Sequence, residues 1–441
     1  MKKMKPSNTE WIGEIPESWS INRIKYVADF EPICDFTKLP PDSMITYTPM
    51  ENIKNGYYIP NTAVLGSLST SLTAYQDNDI VMAKVTPCFE NGNIAVMSGL
   101  SSGVGLGSSE LFVFRAKEIQ TRYLFYWLQN QAFVEQAKAT MTGTGGLKRV
   151  SPQFMRNCAI HCPPVDEQSR IADFLDTECA RIDAVIEQTR ASIEEYKKLK
   201  QAVITEAVTK GIRPGRKMKD SGVEWIGEIP EDWRFTKTLN CLSMPITDGP
   251  HTTPELFDEG IAFISAEAVS CGNGRIDFSH KRGYISQEFY EECCKKYIPE
   301  IDDIYMIKSG ATTGRVSIVD TLEPTFTIWS PLAVFRCNRE MMAPRFLYYA
   351  LQSKGFQKQV EFGWTFGTQQ NIGMRTLEQL KVCVPQVEEQ KEIAEYLDKK
   401  CAEIDSLIHK KQQFLDEMES YKKSLIFEYV TGKKCCSERT C

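Results

Sequence analysis

Two short stretches, TGTGGLKRVS at residues 142–151 and FGTQQNIGMR at residues 366–375, crowd glycine together with threonine, lysine, arginine, glutamine and asparagine. Glycine lets a backbone approach a ligand closely. Amide side chains can hydrogen-bond in pairs to an adenine edge, and arginine or lysine to a guanine edge. Neither stretch carries the lysine–hydroxyl pair of a nucleotide-hydrolysing loop, and no G-x-x-x-x-G-K-[ST] occurs in the chain. An N/D-P-P-F/Y tetrapeptide, the mark of adenine methyl transfer, is missing too, and no P-D…(D/E)-x-K nuclease cluster stands out. The 15 cysteines form no C-x-x-C pair, and His161, His251, His280 and His409 are scattered, so zinc-site spacing is lacking. Cys158 and Cys162 flank a strand-like AIH and read as core residues. A chain with loops of this kind and no catalytic signature is expected to recognise rather than to react.

The elements that must position these loops are written twice. Each loop follows a short amphipathic helix, RYLFYWLQNQAFVEQ from Arg122 and RFLYYALQSKGFQKQ from Arg345. Ahead of each helix lies a block of short β-like runs such as DIVMAKV and ELFVFR, or DIYMI and LAVFR, broken by Gly, Asn, Ser and Thr. At the front of each half stands a nearly identical decapeptide, EWIGEIPESW at residues 10–19 and EWIGEIPEDW at residues 224–233. Its tryptophans Trp11/Trp225 and Trp19/Trp233 are expected to be buried, with Gly13/Gly227 in a turn that Pro16/Pro230 stiffens.

Each half closes on a second matched segment, PPVDEQSRIADFLDTECARIDAVIEQ from Pro163 and PQVEEQKEIAEYLDKKCAEIDSLIHK from Pro385. Proline ends the preceding strand, and Asp166-Glu167 or Glu388-Glu389 places negative charge where a helix N-terminus favours it. Ile171, Leu175, Ile182, Ile186, Ile193, Tyr196, Leu199 and Val203 then recur at three- and four-residue steps, as do Ile393, Leu397, Ile404, Ile408, Leu415, Met418, Tyr421 and Leu425. With no Gly or Pro for about forty residues, each run predicts a helix roughly 60 Å long whose narrow stripe suits a coiled-coil seam. Gly211 and Pro214 stop the first. If the halves are related by a twofold, Trp11 should lie near residues 425–429 as Trp225 lies near residues 203–207. The other arrangement is a helix packed only on its own globule.

At 441 residues, 42% hydrophobic and 25% charged, the chain has the composition of a soluble globular protein of two to four domains. It shows no secretory h-region and no apolar span, so a cytoplasmic location is expected. A net charge of −6 argues against a non-specific binder of nucleic acid, though not against one that works inside a larger complex. The KKCCSERTC tail receives no role.

Taken together, W-I-G-E-I-P-E-x-W, a variable block, P-x-x-x-E-Q-x-x-I-A-x-x-L-D and a long helix, all repeated, resemble the specificity subunit of type I restriction-modification systems over essentially the whole chain. The resemblance implies an α/β (α+β) fold with two pseudo-twofold-related globular target-recognition domains separated by an antiparallel coiled coil of two long helices. The implied boundaries are an N-terminal repeat segment at 1–20, a first recognition domain at 21–162 and a central helix at 163–213. A second repeat segment follows at 214–233, then a second recognition domain at 234–384, a C-terminal helix at 385–432 and a tail at 433–441. It further implies reading of a bipartite, asymmetric double-stranded DNA target across a spacer that the helices measure. Two modification subunits carrying S-adenosylmethionine and restriction subunits using ATP and Mg would dock, with no cofactor in this chain.

In the second module, ITDGPHTTPELF offers His251, Thr252 and Thr253, and resembles DG-x-H-x-x-P loops of the family. KSGATTGRVSIV offers Lys308, Thr312, Thr313 and Arg315, and GTQQNIG offers Gln369, Gln370 and Asn371. In the first module the matching stretches give Lys84, Thr86, Asn91 and Asn93, and Thr144, Lys148 and Arg149. The first module lacks the DGPHTTP loop, so those contacts do not carry over to it. The competing readings are a coiled-coil scaffold with two ligand-binding α/β modules and no DNA role, and a free-standing enzyme.

Overall fold

In the computed structural model, described for residues 3–36, 39–144, 146–366 and 370–436, the chain forms two compact units. One comprises Met1–Arg190 with Gln413–Cys441, the other Ala191–Gln412. The long runs are the continuous helices Val165–Lys210 and Val387–Val430, 46 and 44 residues long. Part of each helix belongs to each unit.

The first unit builds its module on two four-stranded sheets. One has the order Thr62–Val64, Met44–Thr48, Val104–Gly107, Thr73–Gln76; the other runs Ala28–Phe30, Leu111–Ala116, Ile80–Ala83, Ile94–Val96. The strand Ile80–Ala83 is buried throughout, which its unbroken apolar run requires. Its leading residue Asp79 is also buried and receives Arg115 through Nε and Nη2, both at 2.8 Å. Module and repeat segment are joined by the antiparallel pair Ser20–Arg23 with Ala159–Cys162.

The second unit repeats the plan with different letters. Its four-stranded sheet runs Thr247–Asp248, Leu332–Phe335, Ile304–Ile307, Val316–Ile318, beside a three-stranded sheet of Gly283–Ile285, Ile261–Ile264 and Phe326–Ile328. Buried Asp303, just before the all-buried strand Ile304–Ile307, takes Arg336 at 2.7 Å through both Nε and Nη2. Arg234–Lys237 pairs with Lys381–Val384.

Each module docks on the start of the long helix that follows it. Gln168 Oε1 accepts the Gln120 N–H at 2.8 Å while its amide donates to Pro163 O at 2.9 Å. Gln390 Oε1 accepts the Ala343 N–H at 2.7 Å, and its amide donates to Met341 O and Pro385 O at 2.9 Å. Two turns on, Asp176 accepts from Arg122 at 2.6 Å and from the Tyr126 hydroxyl at 2.7 Å. Asp398 takes Arg345 and Tyr349 in the same way, at 2.7 and 2.6 Å.

Within each unit the two long helices run antiparallel. In the first, Phe174 stacks on Tyr429 at 4.4 Å and Lys422 Nζ meets both oxygens of Asp183 at 2.7 and 2.8 Å. In the second, Lys200 Nζ meets Asp405 at 2.8 and 2.7 Å, the same pair with the halves exchanged. Helix packing on the globule and helix pairing therefore coexist: Ile204, Ala207 and Val208 share one apolar cluster with Ile393, Leu397, Phe346 and Trp233. The seam is narrower than the stripe suggested, because Leu199 and Tyr421, at matched positions, are 48% and 41% exposed.

Of the decapeptide tryptophans, Trp19 and Trp233 are buried as expected, whereas Trp225 is 44% exposed and Trp11 half-buried. Trp11 lies against Trp127 and Trp225 against Phe362. Contact with the helix ends is made by the second tryptophan of each pair. Gly432 and Gly211, with φ of +71° and +77°, end the helices in the left-handed region, and a Cβ there would stand 3.2 Å from Trp19 or Trp233. Lys433 Nζ donates to Glu14 O at 2.8 Å, so the N-terminal repeat does meet the end of the C-terminal helix. Glu389, expected as a helix-end charge, is buried and accepts from Arg216 and from Trp233 Nε1.

His161 separates the halves chemically. It is fully buried on the strand beside the repeat, with Nε2 3.4 Å from Ser7 O, and burial pushes its imidazole down to about 4. The matched strand position carries Cys383. An unfolded histidine titrates near 6.5, so the unfolded chain binds the extra proton first as pH falls. The neutral imidazole's contribution is thus whole above about 6.5, and about 3 kcal/mol is lost by about 4. His161→Cys should flatten the fall in melting temperature between those limits; an unchanged pH profile would contradict the assignment.

Candidate nucleic-acid interface

In each unit the two loops singled out in the sequence are zipped together by peptide groups. In the first, the chain leaves Ile80–Ala83 through Lys84, Val85 and Thr86 and meets the hairpin of Thr142–Thr144 with Leu147–Arg149. The Val150 N–H donates to Lys84 O and the Thr86 N–H to Lys148 O, both at 2.9 Å, with Val85 bridged to Arg149. In the second, the chain leaves Ile304–Ile307 through Lys308, Ser309 and Gly310 and meets the hairpin of Thr365–Phe366 with Gln370–Asn371. The Ile372 N–H donates to Lys308 O at 2.9 Å and the Gly310 N–H to Gln370 O at 3.0 Å, with Ser309 bridged to Asn371. Lys84 and Lys308, Lys148 and Gln370, and Arg149 and Asn371 thereby occupy matched places on unlike surfaces.

Around the first junction the side chains divide into bound and outward groups. Thr86 is buried; its hydroxyl donates to Gly146 O at 2.7 Å and accepts the Lys148 N–H at 2.9 Å, so it holds the hairpin. Arg149 makes a two-pronged contact with Glu110 at 2.7 and 2.8 Å. That guanidinium, aided by Lys84, holds the Glu110 carboxyl below the usual carboxylate range. Lys84 Nζ lies 5.7 Å over the Phe112 ring. Thr144, Lys148 and Asn91 are exposed and Asn93 half-buried. The peptide N–H groups of Asn91 and Asn93 close the turn onto Pro87 O and Cys88 O.

Around the second junction, Gln370 and Asn371 are exposed, and Gln369 lies outside the described residues. The Thr313 hydroxyl donates to Gly310 O at 2.7 Å within the turn, Thr312 beside it is half-buried, and exposed Arg315 reaches Ser270 O at 3.1 Å. The DGPHTT loop adds exposed His251, Thr252 and Thr253, of which Thr252 lines a cavity of about 200 Å³ with Phe289, Glu292, Lys296 and Tyr297. A Cβ on Gly249 would fall 2.0 Å from Ile328 O, so this loop needs its glycine to lie against the strand.

The sequence reading missed the carboxylates. Asp248, wholly buried, lies 2.5 Å from Lys296 Nζ, 3.3 Å from Lys308 Nζ and 3.1 Å from His251 Nε2. Glu110 serves Arg149 and Lys84 in the first unit. Lys296 and Lys308 lie 48 and 60 residues beyond Asp248, and Arg149 39 beyond Glu110, so spacing gives no signal of these pairs; only the Asp248-Gly249 step three residues before His251 hinted at a fixed loop. Among the described residues, no group of three His, Cys, Asp or Glu side chains could hold a metal ion. Burial pushes the Cys158 thiol up to about 12 and that of Cys162 to about 11, as unreactive core thiols require.

Twin frameworks thus carry two unlike sets of exposed polar and charged side chains, Lys148 and Arg149 in one unit and Gln370 and Asn371 in the other. The type I restriction modification DNA specificity domain matches residues 35–195 and again 254–416, and the chain belongs to that family. It is 30% identical over 213 residues to the type I restriction enzyme EcoEI specificity subunit of Escherichia coli, covering 46% of this chain and 36% of that one. The chain thus spans about a third of that relative's length. With the MjaVIII specificity subunit of Methanocaldococcus jannaschii it shares 25% over 433 residues, 95% of this chain and 93% of the other. A solved structure, from work on complex assembly and conformational transition of the type I R-M system, superposes with a TM-score of 0.71 at 19% identity, covering 95% and 99% of the two chains, which shows the shared fold.

Thr86→Val deletes one acceptor and one donor that fix the hairpin. It is expected to cost about 1–2 kcal/mol locally and to raise amide exchange at Lys148 by roughly tenfold. Protection that survived the substitution would show the hydroxyl to be dispensable.

Proposed function

We propose that this chain is the DNA-recognition subunit of a type I restriction-modification complex and reads a bipartite, asymmetric duplex, one half per module. The observation that carries the reading is the loop junction built twice with different exposed side chains, Lys148 and the Glu110-held Arg149 in one unit and Gln370 and Asn371 in the other. Identical readers would select a palindrome; unlike readers select unlike half-sites. Phosphate contacts would fall to lysines such as Lys148, and base edges to Gln370, Asn371 and Arg315. The chain itself does no chemistry in this reading. Modification subunits, one for each copy of the repeat, would supply S-adenosylmethionine, and restriction subunits ATP and Mg. A scaffold without a DNA role finds no support in the relatives.

The decisive experiment is methylome sequencing of a host with and without the chain, joined to a module exchange. A two-part methyladenine motif should vanish on deletion. Replacing residues 21–158 with another module should rewrite one half of the motif and keep the other. A motif that persists on deletion, or an exchange that rewrites both halves, would sink the proposal. Gln370→Ala or Arg315→Ala should lose about 1–3 kcal/mol of discrimination at a single base pair.

A further inference from the structure

Each unit places one carboxylate under the cations of its loop junction, and the two carboxylates come from unrelated places in the fold. Glu110 directly precedes the strand Leu111–Ala116, whereas Asp248 ends the strand Thr247–Asp248. Glu110 locks Arg149 with two hydrogen bonds and draws on Lys84; Asp248 gathers Lys308, the match of Lys84, with Lys296 and His251. Glu292 on the wall of the cavity that Asp248 lines is a further acid. Arriving at the same relation by different routes points to a requirement of the junction rather than of either local fold.

From this, and resting on the DNA reading above, we infer that Glu110 and Asp248 are specificity-determining positioning residues: internal counter-ions that fix the junction cations and cancel part of their charge. A free lysine or arginine on a flexible stem attracts any phosphate and releases counter-ions on binding, whatever the sequence. A cation already held by a carboxylate gains less from an arbitrary phosphate and presents its remaining donors in one direction. The protein gives up non-specific attraction and gains discrimination.

The test uses the complex assembled with modification subunits, a random-sequence duplex and the duplex carrying the methylated motif. Glu110→Gln and Asp248→Asn each remove one negative charge. For each, the slope of log affinity against log salt on the random duplex should steepen by about one, with tighter non-specific binding. Methylation should lose about tenfold discrimination at base pairs of one half-site, the opposite half for each variant. Glu110→Asp should restore discrimination in part. Unchanged slope and discrimination in folded variants would overturn the inference, and so would weaker binding to both duplexes with a lowered melting temperature. Should Asp248→Asn fail to fold, Glu110→Gln, at a more exposed site, decides alone. A wild-type complex that binds no duplex in a salt-sensitive way would overturn the DNA reading and the inference with it.

Discussion

One buried glutamine at the head of each long helix sets the rest of the architecture. Gln168 and Gln390 each use both ends of the amide, accepting the peptide N–H that begins the module's amphipathic helix and donating to the proline carbonyl that precedes the long helix. Leaving a buried amide half-paired costs about 1–3 kcal/mol, so the joint has a single satisfactory geometry. Eight residues on, the same helix face presents Asp176 or Asp398 to an arginine and a tyrosine of the docked helix. The module cannot roll on its helix without breaking several of these bonds together. The β blocks, and the loops they carry, are thereby held at a fixed angle to a helix 46 or 44 residues long.

The two halves divide their letters between frame and display. Frame contacts are repeated in kind: Asp79 with Arg115 and Asp303 with Arg336, Asp183 with Lys422 and Asp405 with Lys200. Exposed helix pairs of this sort contribute at most about 1 kcal/mol each; their value is in fixing register, and most of the cohesion comes from apolar burial. The display residues share no such correspondence. Arg149 stands where Asn371 stands, and a cavity beside His251 belongs to the second unit.

Local periodicity made the frame legible in advance. Forty residues without Gly or Pro, headed by acids and closed by glycine, read as long helices, and the duplicated flanks revealed two units of one plan. What stayed hidden was every pairing between distant residues. Leu199 and Tyr421 continue the apolar rhythm yet face solvent, because the partner helix covers only part of the stripe. Trp11 and Trp225 carry the letters of core residues, but burial falls to Trp19 and Trp233, which the helix ends can reach. Thr86 read as an outward hydroxyl and proves to be an internal clasp, and Asp248, the first letter of the DGPHTT loop, gave no sign of the lysines it gathers. In each case the deciding neighbour lies dozens of residues away, where spacing carries no information.

The ladder that joins the loops is made of peptide N–H and carbonyl groups, apart from the clasp of Thr86. Peptide groups are present whatever side chain is attached. Most residues flanking the junction can therefore be replaced at little cost to folding, so the letters on display are free to vary while the ladder beneath them stays the same.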